Sequence, residues 1–477
     1  MKILFATSEA SPLIKTGGLA DVSGALPVAL RDIHVDCRLL LPGYPSVLGT
    51  LHDIVEVARF PSLPLGFEGR LLMGTLPRES VPVYVLQLPA AFDRAGGPYQ
   101  NSQGIDHEDN AWRFACLSKV AALLASDQSP IEWRPDILHC NDWQTGLAPA
   151  YLHFMGRPVP SVMTVHNLAF QGVFPPDTLA MAGLPPECFA VEGAEYFGSV
   201  SFLKAGLYYA DRLTTVSPSY AQEIQREPLG MGLQGLLHTR RADLTGIVNG
   251  INTGEWNPAS DLHTARSYNA KALTGKKLCK LELQKELGLN PERNTPLFGF
   301  IARMTHQKGL DLVLECAADL VARGAQLAML GTGDRALEHA VRDMAMRHPG
   351  QVACYVGYDE GLSHRIEAGC DFFLMPSRFE PCGLNQLYSL RYGTVPIVHA
   401  TGGLRDTVED GVTGFQIDAP TRPALWGAIE RALALYADQA GWLQMIHAGM
   451  KLDLSWEQSA RQYEAVYRDL LKARDPQ

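Results

Sequence analysis

Short apolar runs alternate along the chain with longer segments in which apolar residues recur every three or four positions. Lys2-Ile3-Leu4-Phe5-Ala6-Thr7 opens it as a strand, and Leu19, Val22, Leu26 and Leu30 mark the helix that follows. Further strands are predicted over 35–41, 81–88, 137–141, 161–166 and 212–216, and an amphipathic helix over 110–126. A helix is also predicted over 201–210, and Ser217-Pro218-Ser219 reads as an N-cap with Pro at the first helical position. Residues 229–235 are glycine-rich and read as a loop, and 245–251 as the last strand of a first unit. These runs lack polar alternation, as expected of strands buried on both faces of a parallel sheet. Polar residues gather where the strands end, in Asn141-Asp142-Trp143 and His166-Asn167.

The alternation restarts after a polar stretch, 256–267, that reads as a connection between domains. Strands are predicted over 297–302, 325–330, 352–356, 371–374 and 394–398, with a helix over 310–323. The run 371–374 leads through a tight turn into a helix marked by Leu384, Leu387 and Leu390 and stopped at Gly393. A closing helix over 455–472 carries Trp456, Tyr463 and Tyr467 for packing. The expected division is a Rossmann-like domain over 1–250, a second over 251–455, and a closing helix, 456–477, that returns to the first domain. The fold class is therefore α/β with two doubly wound units.

Composition narrows the function. The chain of 477 residues is 46% apolar and 19% charged, with a formal net charge of -10. No run of Lys and Arg offsets that acidity, which disfavours nucleic acid or an anionic membrane as partner. The nine Cys are scattered, with no Cys-x-x-Cys pair. Free thiols in a reducing compartment are expected, hence a cytoplasmic protein without a zinc site. Lys2 leads directly into a strand, so no secretory leader is expected. No apolar run reaches membrane-spanning length.

The candidate chemistry sits at strand ends. Lys15-Thr16-Gly17-Gly18 forms a glycine turn before a helix, a geometry that brings backbone N–H groups to a diphosphate. It matches neither G-x-G-x-x-G nor a Walker loop, which disfavours a dinucleotide oxidoreductase. Arg303 and Lys308 share one strand-to-helix loop and supply the positive cluster that an anionic ligand needs. Glu380 lies just before a helix start suited to phosphate, where it would face whatever the phosphate carries. Each residue alone has a plainer explanation. Glu380 could cap a helix, Cys382 could be packing, Lys15 a solvated loop residue and His166 a satisfied core histidine.

Taken as a set the motifs decide. Lys15 to Val22, Asn141-Asp142-Trp143, His166-Asn167-Leu168, Asn249-Gly250-Ile251, Arg303 with Gln307-Lys308-Gly309, Ser377 to Leu384, and Thr401-Gly402-Gly403-Leu404 resemble bacterial glycogen synthase and plant starch synthase. The resemblance runs in order from Lys2 to about Tyr467. It implies a GT-B fold, two Rossmann-like domains facing across a deep cleft whose closure would exclude water. It implies a retaining transfer of glucose from a nucleotide sugar, ADP-glucose in most bacteria and plants, to the non-reducing end of an α-1,4-glucan. Lys15, Gly18, Arg303 and Lys308 would hold the diphosphate and stabilise the leaving group without a metal or cofactor, with Gly17 among the substrate-binding residues. His166 would contact the sugar, Asp142 its hydroxyls, and Glu380 its ring. Cys382, Gly383, Leu384 and Asn385 would bind hydroxyl or phosphate, Tyr358 would lie near the base, and Asn249 belongs to the same binding set. The alternatives are a transferase using UDP-glucose or another acceptor, and an idle glucan-binding protein. Intact Lys15, His166, Arg303, Lys308 and Glu380 argue against the idle one. Four positions depart from the pattern. Asn141 and Gln144 stand where bacterial members often have His, and Asn385 where Thr is common. Tyr388 stands where related transferases carry a second Glu, as is usual in this family.

Overall fold

A computed structural model describes residues 1–77, 79 and 81–474. Lys2–Ala6 pairs in parallel with Asp36–Pro42 on one side and Ile137–Asn141 on the other. Ser161–Val165, Arg212–Thr215 and Leu244–Gly246 extend the sheet beyond Ile137–Asn141, and Pro82–Gln87 extends it beyond Asp36–Pro42. Residues 52–75 add two strands, His52–Phe60 and Gly69–Thr75, antiparallel to the rest at one edge. The sequence pattern leaves this edge unassigned because His52–Phe60 is largely exposed and presents no apolar run. Among the described residues this gives a sheet of nine strands. The expected last strand of this unit shrinks to Leu244–Gly246.

The helix over 110–126 needs correction. It runs Asn110–Leu124, and twelve of its residues, Trp112, Arg113 and Phe114 among them, are buried, so it has no wet face. A helix covered on all sides has no polar stripe. Arg113 survives inside by donating to the carbonyls of Ala91 and Pro98 and to Asn110 Oδ1.

Residues 250–455 form a second unit, while the segment from Trp456 belongs with residues 1–249. The second sheet, among the described residues, is six parallel strands in the order Val352–Val356, Gln326–Gly331, Leu297–Ile301, Phe372–Met375, Val395–His399, Phe415–Ile417. Successive crossovers run outward from Leu297–Ile301, then return and run outward the other way from Phe372–Met375. Right-handed crossovers in opposite directions put helices on both faces and leave a crevice where the order reverses. The first sheet reverses between Lys2–Ala6 and Ile137–Asn141.

Both reversal points are pinned by buried polar groups. Asp371, at the amino end of Phe372–Met375, accepts from Leu297 N–H at 2.9 Å and pairs with buried Lys280 at 2.5 Å. In the first unit, the closing helix Trp456–Arg474 packs against the helix Gly18–Asp32. Tyr467 Oη meets His139 Nδ1 at 2.7 Å, His139 Nε2 meets Thr164 Oγ1 at 2.6 Å, and Thr164 Oγ1 meets Thr214 Oγ1 at 2.5 Å. This chain ties the helix to three neighbouring strands. Burial, assisted by His166, pushes His139 down to about 3, so its ring is neutral. Tyr467→Phe should leave a buried ring nitrogen without a partner and cost about 1–3 kcal/mol of stability. Thermal melting of the variant reads that loss, and an unchanged melting temperature would remove the bond from this account.

Candidate active site

At the second sheet's reversal point, two loops leave adjacent strand ends. The first follows Leu297–Ile301 and carries Arg303 to Gly309; the second follows Phe372–Met375 and carries Pro376 to Leu384. The second is nine residues long rather than the tight turn expected, and the helix after it runs Asn385–Tyr392. The loops are knitted together. Arg378 N–H donates to Gln307 O at 2.8 Å, Gln307 Nε2 donates to Phe379 O at 3.2 Å, and the Arg378 guanidinium pairs with Asp311 at 2.7 Å. Gly309 has φ 71°, and a Cβ there would lie 2.3 Å from Pro376 O. Only glycine lets the two backbones cross so closely.

That crossing brings Lys308 Nζ to 2.6 Å from Glu380 Oε2, with side-chain exposures of 19% and 8%. Ser377 Oγ donates to the same carboxylate oxygen at 3.1 Å. Glu380 is therefore no helix cap: Leu384 holds the N-cap position, without a side-chain capping bond. The first N–H groups of that helix have no partner within it. Gly402, at φ 45°, lies beneath this loop, where a Cβ would come within 2.0 Å of Glu380 O. Cys382 is buried, and Gly383 takes φ 75°. Asn385 Nδ2 donates to Ile301 O at 2.7 Å, tying the start of the helix Asn385–Tyr392 to the end of the strand Leu297–Ile301. Arg303 is exposed and has no ion pair among the described residues. Tyr358 is 74% exposed, its hydroxyl on Glu360 at 2.8 Å.

In the first unit, Asp142 and His166 leave neighbouring strand ends. Asp142 adopts φ 54°, a left-handed conformation that costs a non-glycine residue about 1–3 kcal/mol. The turn aims Oδ1 at the His166 N–H, 2.7 Å away. Burial pushes the Asp142 carboxyl up to about 7, against the N–H groups of His166 and Asn167, which favour the charged form. Burial drives half-buried His166 down to about 3, so its ring is neutral. Lys15 pairs with Asp21 at 2.7 Å in an exposed loop. A Cβ at Gly17 or Gly18 would meet nothing within 4 Å, so packing inside the unit does not account for either glycine. Asn249 is buried, and its Oδ1 has no partner among the described residues.

Sequence reasoning passed over Glu9. Its buried carboxylate accepts from Thr16 N–H and from Tyr99 Oη, which fixes the Lys15-to-Gly18 loop from below. Burial raises its pKa, while the Tyr99 and Thr16 bonds oppose that. An acid following the first strand was the available signal, but its partner Tyr99 is ninety residues away. Tyr388, at the position where related transferases carry a second Glu, stacks on Trp256, with ring centroids 3.6 Å apart, and Trp256 stacks on His364 at 3.7 Å. Gln144 is buried, with Oε1 unpartnered among the described residues. Among those residues, Glu255, Glu360 and His364 alone bring three metal-type ligand atoms within 4.8 Å, and His364 Nδ1 is already held by Asp261 at 2.8 Å. All nine cysteines are free thiols, and no helix among the described residues is long and apolar enough to cross a membrane.

Residues 2–239 match the family described as starch synthase catalytic domain, and residues 282–442 match glycosyl transferases group 1. A glycogen synthase of Nitrosomonas europaea is 52% identical over 99% of this chain and 98% of its own length. One of Paramagnetospirillum magneticum is 49% identical over 98% of each. The catalytic domain of starch synthase IV from Arabidopsis thaliana, bound to ADP and acarbose, superimposes with a TM-score of 0.88 at 31% identity, covering 99% of both chains. Sucrose-phosphate synthase from Thermosynechococcus elongatus, at TM-score 0.61 and 18% identity, shares the fold. With two Rossmann-like α/β units of the GT-B class and relatives near 50% identity along its whole length, the chain belongs to the glycogen synthase and starch synthase family of glycosyltransferases.

Proposed function

We propose that the protein elongates an α-1,4-glucan by transferring glucose from ADP-glucose to its non-reducing end, with retention at the anomeric carbon. The single observation that carries this reading is the 2.6 Å contact of Lys308 with Glu380. It sets a cation suited to a departing phosphate beside a carboxylate suited to a sugar. Arg303 and Lys308 hold the donor diphosphate in the second unit, together with the N–H groups from Cys382 to Asn385, and Tyr358 lies near the base. In the first unit Lys15, Gly17 and Gly18 bind phosphate, with Asn249 in the binding set. Charge that develops on the leaving group is then met by fixed cations and N–H dipoles, which do in this role what a metal does elsewhere. Asp142 binds glucose hydroxyls, and His166 contacts the sugar with its backbone carbonyl near the reacting carbon.

Retention follows from a front-side course. The bond from the anomeric carbon to the donor phosphate oxygen breaks, and the acceptor hydroxyl adds on the same face. Its proton passes to the leaving ADP, and Glu380 stabilises the positive charge on the ring. ADP bound to the Arabidopsis relative supports an adenine donor here. The free thiols support the cytoplasm as the place of action.

Incubation with glycogen and either ADP-glucose or UDP-glucose should give nucleotide release and chain growth with the ADP sugar, undiminished by a chelator. Activity abolished by chelation and restored by magnesium or manganese would contradict the metal-free mechanism. Glu380→Gln keeps the shape and an oxygen for Lys308 but removes the charge. Turnover at saturating glycogen should fall at least roughly a hundredfold, with little change in donor KM or melting temperature. A destabilised but active variant would make Glu380 a structural residue.

Asp142 also predicts a pH dependence. An unfolded aspartate ionises near pH 4, whereas folded Asp142 holds its proton up to about 7. Between those values the folded chain binds the extra proton, so this residue's contribution to stability falls as pH rises. Asp142→Asn should therefore gain melting temperature relative to the parent between about pH 4 and 7 and level off above, while losing turnover. A difference that is constant across the range would contradict the raised pKa.

A further inference from the structure

Asn141 lies one residue before Asp142 and is 1% exposed. It spans the first sheet's reversal point. Its Nδ2 donates to Ala6 O at 3.0 Å, across the crevice, and its Oδ1 lies 3.0 Å from His166 Nε2. A peptide carbonyl can only accept, so the contact with Ala6 settles which end of the amide points where. An amide oxygen also only accepts, so the hydrogen between Asn141 and His166 has to be on Nε2. Rotating the amide by half a turn would set Oδ1 against the Ala6 carbonyl, acceptor against acceptor.

The backbone of Asn141 is held as firmly. Its N–H donates to Thr145 Oγ1 at 2.7 Å, and its carbonyl accepts from the same hydroxyl at 2.9 Å. His166 is thus gripped twice by consecutive residues, at its backbone N–H by Asp142 and at its ring by Asn141. A neutral imidazole carries one N–H and one lone pair, and the partner of one nitrogen sets the state of the other.

We propose that Asn141 is a positioning residue: it locks the His166 ring as the Nε2–H tautomer, which makes Nδ1 an acceptor for a hydroxyl of the bound glucosyl group. The identity of that hydroxyl's owner rests on the proposed function, whereas the tautomer does not. An amide does this without titrating. A histidine at 141 would fill both roles only while neutral and in one tautomer.

The test has two arms on the full chain. Nitrogen-15 spectra of the ligand-free protein, with the His166 signals assigned by their loss in His166→Gln, should show Nε2–H in the parent. Asn141→Leu should populate both tautomers. With ADP-glucose and glycogen, Asn141→Leu should lower kcat about tenfold at unchanged glycogen KM, the loss of one oriented hydrogen bond. Asn141→His should restore most of that turnover. An Nδ1–H tautomer in the parent overturns the proposal whatever becomes of the variants, and so does parental kcat in Asn141→Leu. A parent that shows the Nε2–H tautomer but transfers no glucose overturns the functional reading and the sugar contact together, and leaves the lock on the ring standing.

Discussion

Right-handed crossovers impose one constraint on both units: a sheet that grows outward in two directions must reverse its strand order somewhere. The crevice at that reversal is the one place on the sheet where neighbouring strand ends feed loops that diverge to opposite faces. In the second unit these are the loops of Lys308 and Glu380; in the first, those of Lys15 and Asp142. Everything assigned to chemistry within each unit starts from that geometry. Of the buried supports, Asp371 at the start of Phe372–Met375 holds Lys280 of the helix Thr274–Glu286, and Asn141 at the end of Ile137–Asn141 holds the Ala6 carbonyl.

Such a site is built from groups that resist burial. Lys308 and Glu380 offset each other, because a lone charge at that depth would cost several kcal/mol. Asp142 solves the same problem differently: among the described residues it has no cation beside it, only N–H donors, and its pKa rises. Its strained backbone belongs to the same arrangement, since the left-handed turn is what faces Oδ1 towards the His166 N–H. In the second unit Lys308 and Glu380 hold their charges as a pair, while in the first burial holds back the charge of Asp142.

Glycines divide by cause. Gly309 and Gly402 are required by backbone crossing within the second unit, where a Cβ would strike a carbonyl. Gly17 and Gly18 have open space around them, so packing inside the first unit does not require their small size. Tyr388 shows the reverse case, a position compared with a carboxylate that serves as one face of an aromatic stack with Trp256 and His364.

Sequence alone determined the alternation of strands and helices, the parallel sheets, the two Rossmann-like units and the family. These are local or periodic properties: an apolar run reports a strand buried on both faces, and ordered motifs report ancestry. It missed the antiparallel strands His52–Phe60, whose exposure erases the apolar signal, and Gly69–Thr75, whose apolar run is only Leu71 to Met73. It also read 110–126 as an amphipathic helix, whereas the few polar residues of Asn110–Leu124, Arg113 among them, find partners inside. Tertiary structure decided the partnerships. Lys308 meets Glu380 across 72 residues, Thr16 meets Glu9 beneath the glycine turn, and Tyr467 meets His139 across 328. Asn141, which the motif alone marks only as a departure, acquires a role through Ala6, 135 residues earlier. Hydrogen bonds and ion pairs act over about 3 Å in space, so no spacing along the chain reports them until the strand order has brought the ends together.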